Sequence, residues 1–242
     1  MGDTPNLDES NNNTISEAVI LESEANASLL ASADDASPGV KLNFINQSND
    51  ANNSEIVIFG KNVASSYDEL AIAWTVIRYC GRGDNHPFTY PMTQTIGASD
   101  SWGNYTPQLN ASNGQRFAMV LTTSGDQLVA QGPGTSPKEI QLLNALPKGA
   151  MNAQIYKDGK LFASKTSIAP QQMATFQFKP TIWIGVASQV QEGDVINSAI
   201  ISNINTEISL LGIASADIVM TGGGSGPNAT PFVFTLDNVV MA

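Results

Sequence analysis

The stretch "AQIYKDGKLFASKT" (153–166) decides how the chain is read. Two β-prone runs meet at Asp158-Gly159, and Asp-Gly readily takes the positive φ angles of a type I′ turn, whose twist suits the strands on either side. The spacing predicts a two-residue hairpin turn joining strands near 152–157 and 160–166, with positive φ at Gly159. A helix through this region, or a loop longer than five residues, would defeat that reading.

The same punctuation extends outward on both sides. "KLNFIN" (41–46) and "EIVIF" (55–59) are short apolar strands separated by the polar loop "QSNDANNS". In "ELAIAWTVIRY" (69–79) the residues Leu70, Ile72, Trp74 and Val76 alternate, which predicts a half-buried strand with those four on one face, a buried helix being the rival reading. "RFAMVLTT", "QLVAQG", "EIQLLNAL", "ATFQF" and "TIWIGVASQV" follow at the spacing of a sandwich. In 194–220, Ile196, Ile200, Ile204 and Ile208 recur every four residues, but the Asn, Ser and Thr between them are poor helix formers, so two or three strands are expected. "FVFTLDNVVMA" (232–242) is a closing strand. Around twelve strands and no helix make the body, residues 41–242, an all-β domain: an antiparallel β-sandwich, of which a jelly roll is one form. Trp74 and Trp183 are expected in its core, and Trp102, set among Ser, Gly and Asn, in a loop.

Composition agrees with strands. Charged residues are 14% of the 242, and the deficit is filled by Asn, Gln, Ser, Thr and Gly, which suit exposed strands and turns better than solvent-facing helices. The net charge of −11 is unevenly placed. Residues 1–40 carry eight acids and no Lys or Arg, leaving fourteen acids against eleven bases in the body. With no basic stripe for a phosphate backbone, nucleic acid is not expected as a partner.

Residues 1–40 read as an N-terminal extension, acidic and without aromatics, whose default is a disordered tail. Two features stand against that default. Thr14-Ile15-Ser16-Glu17 has capping-box spacing for a short helix over 15–31. Alternatively "EAVILES" (17–23) could add as a strand to a sheet edge, Val19 and Leu21 on one face and Ile20 on the other. The extension has no basic n-region, and "AVIL" is too short for a secretory h-region, so no classical export signal is expected. The compartment stays open between the cytoplasm and export by another route.

Chemistry is thinly represented. Cys80, His86 and Arg82-Gly83-Asp84 all fall in "CGRGDNHPFTYP" (80–91), the chain's one cysteine and one histidine among them. A hydrolytic triad needs a histidine as base, and no Gly-x-Ser-x-Gly elbow accompanies His86. Cys80, Asp84 and His86 crowd one turn at a spacing poorly suited to a metal. Gly-Asp-Asn is ordinary turn vocabulary, so the stretch predicts a structural turn between strands, and display of Arg82-Gly83-Asp84 as an adhesion motif is the other reading. "TGGGSGPNAT" (221–230) lacks the lysine of a phosphate loop and precedes a strand. No metal, cofactor or catalytic residue is assigned.

The phrases "DELAIAW", "HPFTYPM", "SWGNYTPQL", "YKDGKLFASK", "FKPTIWIGV", "NSAIIS" and "LLGIASADIVMTGGG", from about Asn46 onward, are similar to uncharacterised bacterial proteins often labelled aromatic ring-opening dioxygenase, small subunit. The resemblance implies a bacterial source. Extradiol ring opening would place ferrous iron on two His and one carboxylate, and this chain has one His, so no catalytic residue is carried over from it.

Three functions follow as expectations. The first is a non-enzymatic interaction or structural protein that self-assembles, as a filament or ring, through residues 15–31, with Val19, Ile20 and Leu21 as the contact. The second is a membrane-active or carbohydrate-binding sandwich: "NSAIISNINTEIS" could rearrange into a barrel, and Trp102 or Tyr105 could stack on a sugar. The third is an enzyme using dispersed carboxylates.

Overall fold

The computed structural model describes residues 39–64, 71–196 and 206–242. Eighteen strands occur among them, with a single 3-10 turn at Gly226–Asn228 and no α-helix. The domain is an all-β sandwich built from four four-stranded sheets and one two-stranded ribbon.

The expected hairpin is present. β11 (Met151–Lys157) and β12 (Lys160–Ile168) are joined by Asp158 at φ 52° and Gly159 at φ 70°. Their sheet continues through β6 (Gln94–Asp100) to β7 (Leu109–Ala111). A second sheet has the order β13 (Met173–Phe176), β10 (Ile140–Asn144), β8 (Gln115–Thr122), β9 (Gly125–Pro133). A third runs β16 (Thr206–Ser209), β14 (Thr181–Ala187), β2 (Glu55–Phe59), β4 (Thr75–Ile77), and β3 (Ala71–Ile72) pairs with β15 (Val195–Ile196) beside it. The fourth is β18 (Thr230–Met241), β17 (Ile213–Gly223), β1 (Val40–Asn46), β5 (Asn85–Tyr90). The pairings are antiparallel except β1 with β17 and β8 with β10, which lie outside the wholly antiparallel order of a jelly roll.

One core joins the four large sheets. Leu42, Phe44 and Ile218 meet Ile58, Ile184, Ile155, Phe117 and Phe176 in a single buried cluster. Its centre is aromatic: Trp74 lies edge-on to Tyr90 at 5.7 Å and to Phe162 at 5.8 Å, a geometry that sets ring edges against ring faces. Gly60 makes room for this packing, since a Cβ there would stand 2.1 Å from Phe162 Cζ.

Two strand-face expectations are corrected. The run 69–79 is two strands, not one. Ala73 donates its N–H to Asp194 O and Trp74 to Ile58 O, so the chain passes from the β3 ribbon to the β4 sheet between them. Trp74 and Ile77 therefore share the main core, while Ala71, Ala73 and Val76 belong to a second cluster on the far side of β2. Leu70 lies outside the described residues. Trp183 also sits in that second cluster, half-buried, stacked on Phe59 at 6.4 Å and capped by Lys61 Nζ. The physical reason is that the β2–β14 sheet is buried on both faces: Ile56 and Ile58 point one way, Val57 and Phe59 the other. The apolar run around Trp183 is continuous for that reason and does not say which face is the core.

Candidate functional site

The turn that carries the cysteine, the histidine and Arg82-Gly83-Asp84 connects β4 to β5, as expected. Asn46, at the end of β1 and 4% exposed, fastens it. Its side-chain amide donates to Cys80 O at 2.7 Å, its N–H donates to Asp84 O, and Gly83 N–H donates to Asn46 O. Gly83 has φ 89°, a conformation that strains any residue with a Cβ. Arg82 and Asp84 are exposed, yet neither is idle. Arg82 Nη1 donates to Asn49 Oδ1 at 2.6 Å, and Asp84 Oδ2 accepts from Gly81 N–H at 3.0 Å.

Cys80, Asp84 and His86 line one cleft of about 340 Å³ with Arg78 and Tyr79. Burial, and then the Asp84 carboxylate, push the Cys80 thiol above its usual pKa, which is the reverse of what an attacking thiolate needs. Among the described residues no three His, Cys, Asp or Glu side chains converge as a metal site would require.

Chemistry being this sparse, the sheet edges hold more of interest. In the β18-β17-β1-β5 sheet, β5 and β18 are the outer strands among the described residues. β5 carries Pro87, which has no N–H to offer and suits an edge. β18 is twice as long, twelve residues, and exposes Val233, Val239, Val240 and Met241. Three register irregularities along β17 and β18, and a left-handed Asn238, shift its alternation near the end. Past Asn238 the strand leaves Val240 54% and Met241 64% exposed, beside Leu211 at 74% in the turn before β17. Beside β18, a cleft of about 360 Å³ is lined by Ile184, Val186, Thr206, Pro231, Phe232 and Phe234.

The residues expected to make a partner contact, Val19, Ile20 and Leu21, lie outside the described residues, as does most of "NSAIISNINTEIS". Sequence reading missed Asn46 and Asp100. Asn46 reaches Cys80 O 34 residues away, a partner that only the fold brings to it, whereas Asp100 braces the turn that directly follows it. Trp102 and Tyr105 are exposed in the turn after β6, the loop position expected for Trp102. No family model, no curated protein and no solved structure matches the chain.

Proposed function

We propose that the chain is a non-enzymatic interaction protein that self-associates, residues 15–31 of one copy adding as a strand to β18 of the next. What carries the reading is the outer face of β18: a long edge strand with four exposed apolar side chains and one charged residue, Asp237. Edge strands present unpaired N–H and C=O groups that template pairing with another chain, and soluble proteins blunt them with proline, charge or short length. β5, six residues long with Pro87 third among them, is blunted in that way; β18 has its proline, Pro231, only at its second position and one charge in twelve residues.

An added strand turns one row of side chains toward the cleft beside Phe232 and Phe234. Val19 and Leu21, two residues apart, are spaced to fill it, main-chain hydrogen bonds supplying affinity and the pocket supplying register. The contact joins two different surfaces, so it is heterologous and propagates as a filament unless its rotation closes a ring.

Deleting residues 1–36 tests this by size-exclusion chromatography with light scattering and negative-stain microscopy. The expected result is a folded monomer from the truncated chain and an assembly from the full one. A truncated chain that assembles equally well, or a full chain that is monomeric at every concentration, overturns the reading.

A further inference from the structure

We propose that the outward face of the β12-β11-β6-β7 sheet, together with the turn after β6, binds a neutral polysaccharide chain. The site begins with the turn. Asp100 ends β6, and its carboxylate accepts from Trp102 N–H at 2.8 Å, Asn104 N–H at 2.9 Å and Asn104 Nδ2 at 2.7 Å. These bonds, the Asn104 side chain foremost, hold the Asp100 carboxyl below its usual pKa. The turn is thus set before any ligand arrives, and presenting its side chains costs little ordering entropy on binding. What it presents is an indole 86% exposed at Trp102 and a phenol 70% exposed at Tyr105. Tryptophan is ordinarily a largely buried residue, and such an exposed aromatic pair on a braced turn marks a contact surface.

The strand register extends that surface. Tyr105 bridges Ser99, which pairs with Asn152; Gly97 pairs with Gln154; Thr95 pairs with Tyr156 and with Asn110. Residues directly opposite, and two apart along a strand, share a face. Met151, Ala153 and Ile155 on the alternate positions are buried in the core, so this face is the outer one; on it Gly97 and Ser99 lie beneath their neighbours, Thr95, Asn152, Gln154 and Tyr156 are half-buried, and Asn110 is exposed. No register position on it is charged. Tyr156 crosses Gly97: a Cβ at 97 would stand 3.3 Å from Tyr156 Cε2 and 3.6 Å from Gln108 Cγ.

The strand positions that the two tyrosines oppose, Ser99 and Thr95, are four residues, about 13 Å, apart along β6. The phenols lean toward each other closely enough to interact electrostatically, so the rings form one continuous platform for a sugar ring. Between them the amides are oriented. Tyr156 Oη donates to Gln154 Oε1, and Thr95 Oγ1 donates to Gln108 Oε1 at 2.6 Å, which leaves the Nε2 of each glutamine as a donor. A pyranose ring offers an apolar C–H face and a rim of hydroxyls. Its face suits the exposed rings and its rim suits the amides. A face without charge complements an uncharged polymer better than a uronic or sulfated one.

Affinity electrophoresis of the full chain in gels containing xyloglucan, galactomannan, soluble β-1,3-glucan or starch, with pull-downs on cellulose and chitin, tests the site. Retention on at least one is expected, with Trp102→Ala and Tyr105→Ala each weakening it about tenfold or more. Trp102→Phe should recover part of the loss, and Thr89→Lys, on the exposed surface of β5, should leave retention unchanged. Oligosaccharide from the retaining polymer should shift the Trp102 emission to the blue, a signal that Trp102→Phe removes. Absence of retention on every polymer, or full retention by Trp102→Ala, overturns the proposal. So does binding of a proline-rich peptide when none of the glycans binds.

Discussion

The two outer strands of the β18-β17-β1-β5 sheet solve the same problem in opposite ways. β5 is short, carries Pro87, and is tied inward. Tyr90 at its end is buried against Trp74 and Phe162, and Lys157 Nζ donates to Pro91 O just beyond it at 2.8 Å. β18 is long, has its proline, Pro231, only at its start, and turns valines to solvent. One edge has spent its side chains on the fold and the other has kept them for a neighbour. Stability and association should therefore be separable, one edge at a time.

The largest effect is expected at the anchored edge. Tyr90→Ala removes a ring 1% exposed from the aromatic centre and should cost about 3–5 kcal/mol in denaturant unfolding. A loss below about 1 kcal/mol would mean that β5 is not anchored through this ring.

Next comes the lysine above it. Lys157 is buried, with Nζ 4.6 Å from the Tyr90 ring centroid, and burial lowers its pKa to about 8. The unfolded chain then binds this proton more readily than the folded one, so folding stability rises as pH climbs from about 8 toward about 10.5. The rise is on the order of 3 kcal/mol at most. Tyr90, raised to about 12 by burial, works the other way: the unfolded phenol ionises first, and stability falls above about pH 10. Urea midpoints across pH 7–11 should show the rise in the wild type and lose it in Lys157→Met. An unchanged profile in the variant would remove Lys157 from the account.

Smaller again is the clasp on the turn before β5. Asn46→Ala takes the acceptor from the buried Ser48 hydroxyl proton, whose oxygen still accepts from Asp50 N–H, and the side-chain donor from the Cys80 carbonyl, and should cost about 1–3 kcal/mol. Faster proteolysis or amide exchange is expected across 80–84, and equal protection in both proteins would show the turn held by other contacts.

The smallest effect on stability carries the most for function. Val240→Lys on β18 should change unfolding by no more than about 0.5 kcal/mol while abolishing assembly of the full chain. The same substitution at exposed Thr89 of β5 should leave assembly intact. Equal losses from both would erase the distinction between the edges.

Local chemistry made part of this molecule readable from sequence. Asp158-Gly159 announces its turn because the backbone angles it needs are ones few residue pairs tolerate. Trp102 is recognisable as a loop residue from its neighbours. Trp74 and Trp183 show where such reading stops. Alternation tells that a strand has two faces, but the choice of face at Trp183 depends on a sheet covered on both sides. At Ala73–Trp74 it depends on a sheet change that no local pattern marks. The Asp100 brace was half legible, in that Asp and Asn are turn residues. The face it borders was not, since Thr95, Gly97, Asn152 and Gln154 become neighbours only through pairing across more than fifty residues.

The parallel pair β1–β17 sets an order in time as well as in space. Asn43 Nδ2 reaches Asp217 Oδ1 across 174 residues of chain. On a ribosome adding about 5–20 residues per second, β1 waits roughly 9–35 s for β17 to be made. β5 arrives early and closes one side of β1; the other side stays open for nearly the whole of synthesis. During that interval the main-chain groups of 41–46 are available to any extended segment nearby, including the apolar run at 17–23 of the same chain. β1 is thus the strand with the longest opportunity to pair wrongly, and a nascent-chain pull-down stalled before residue 213 should find it occupied.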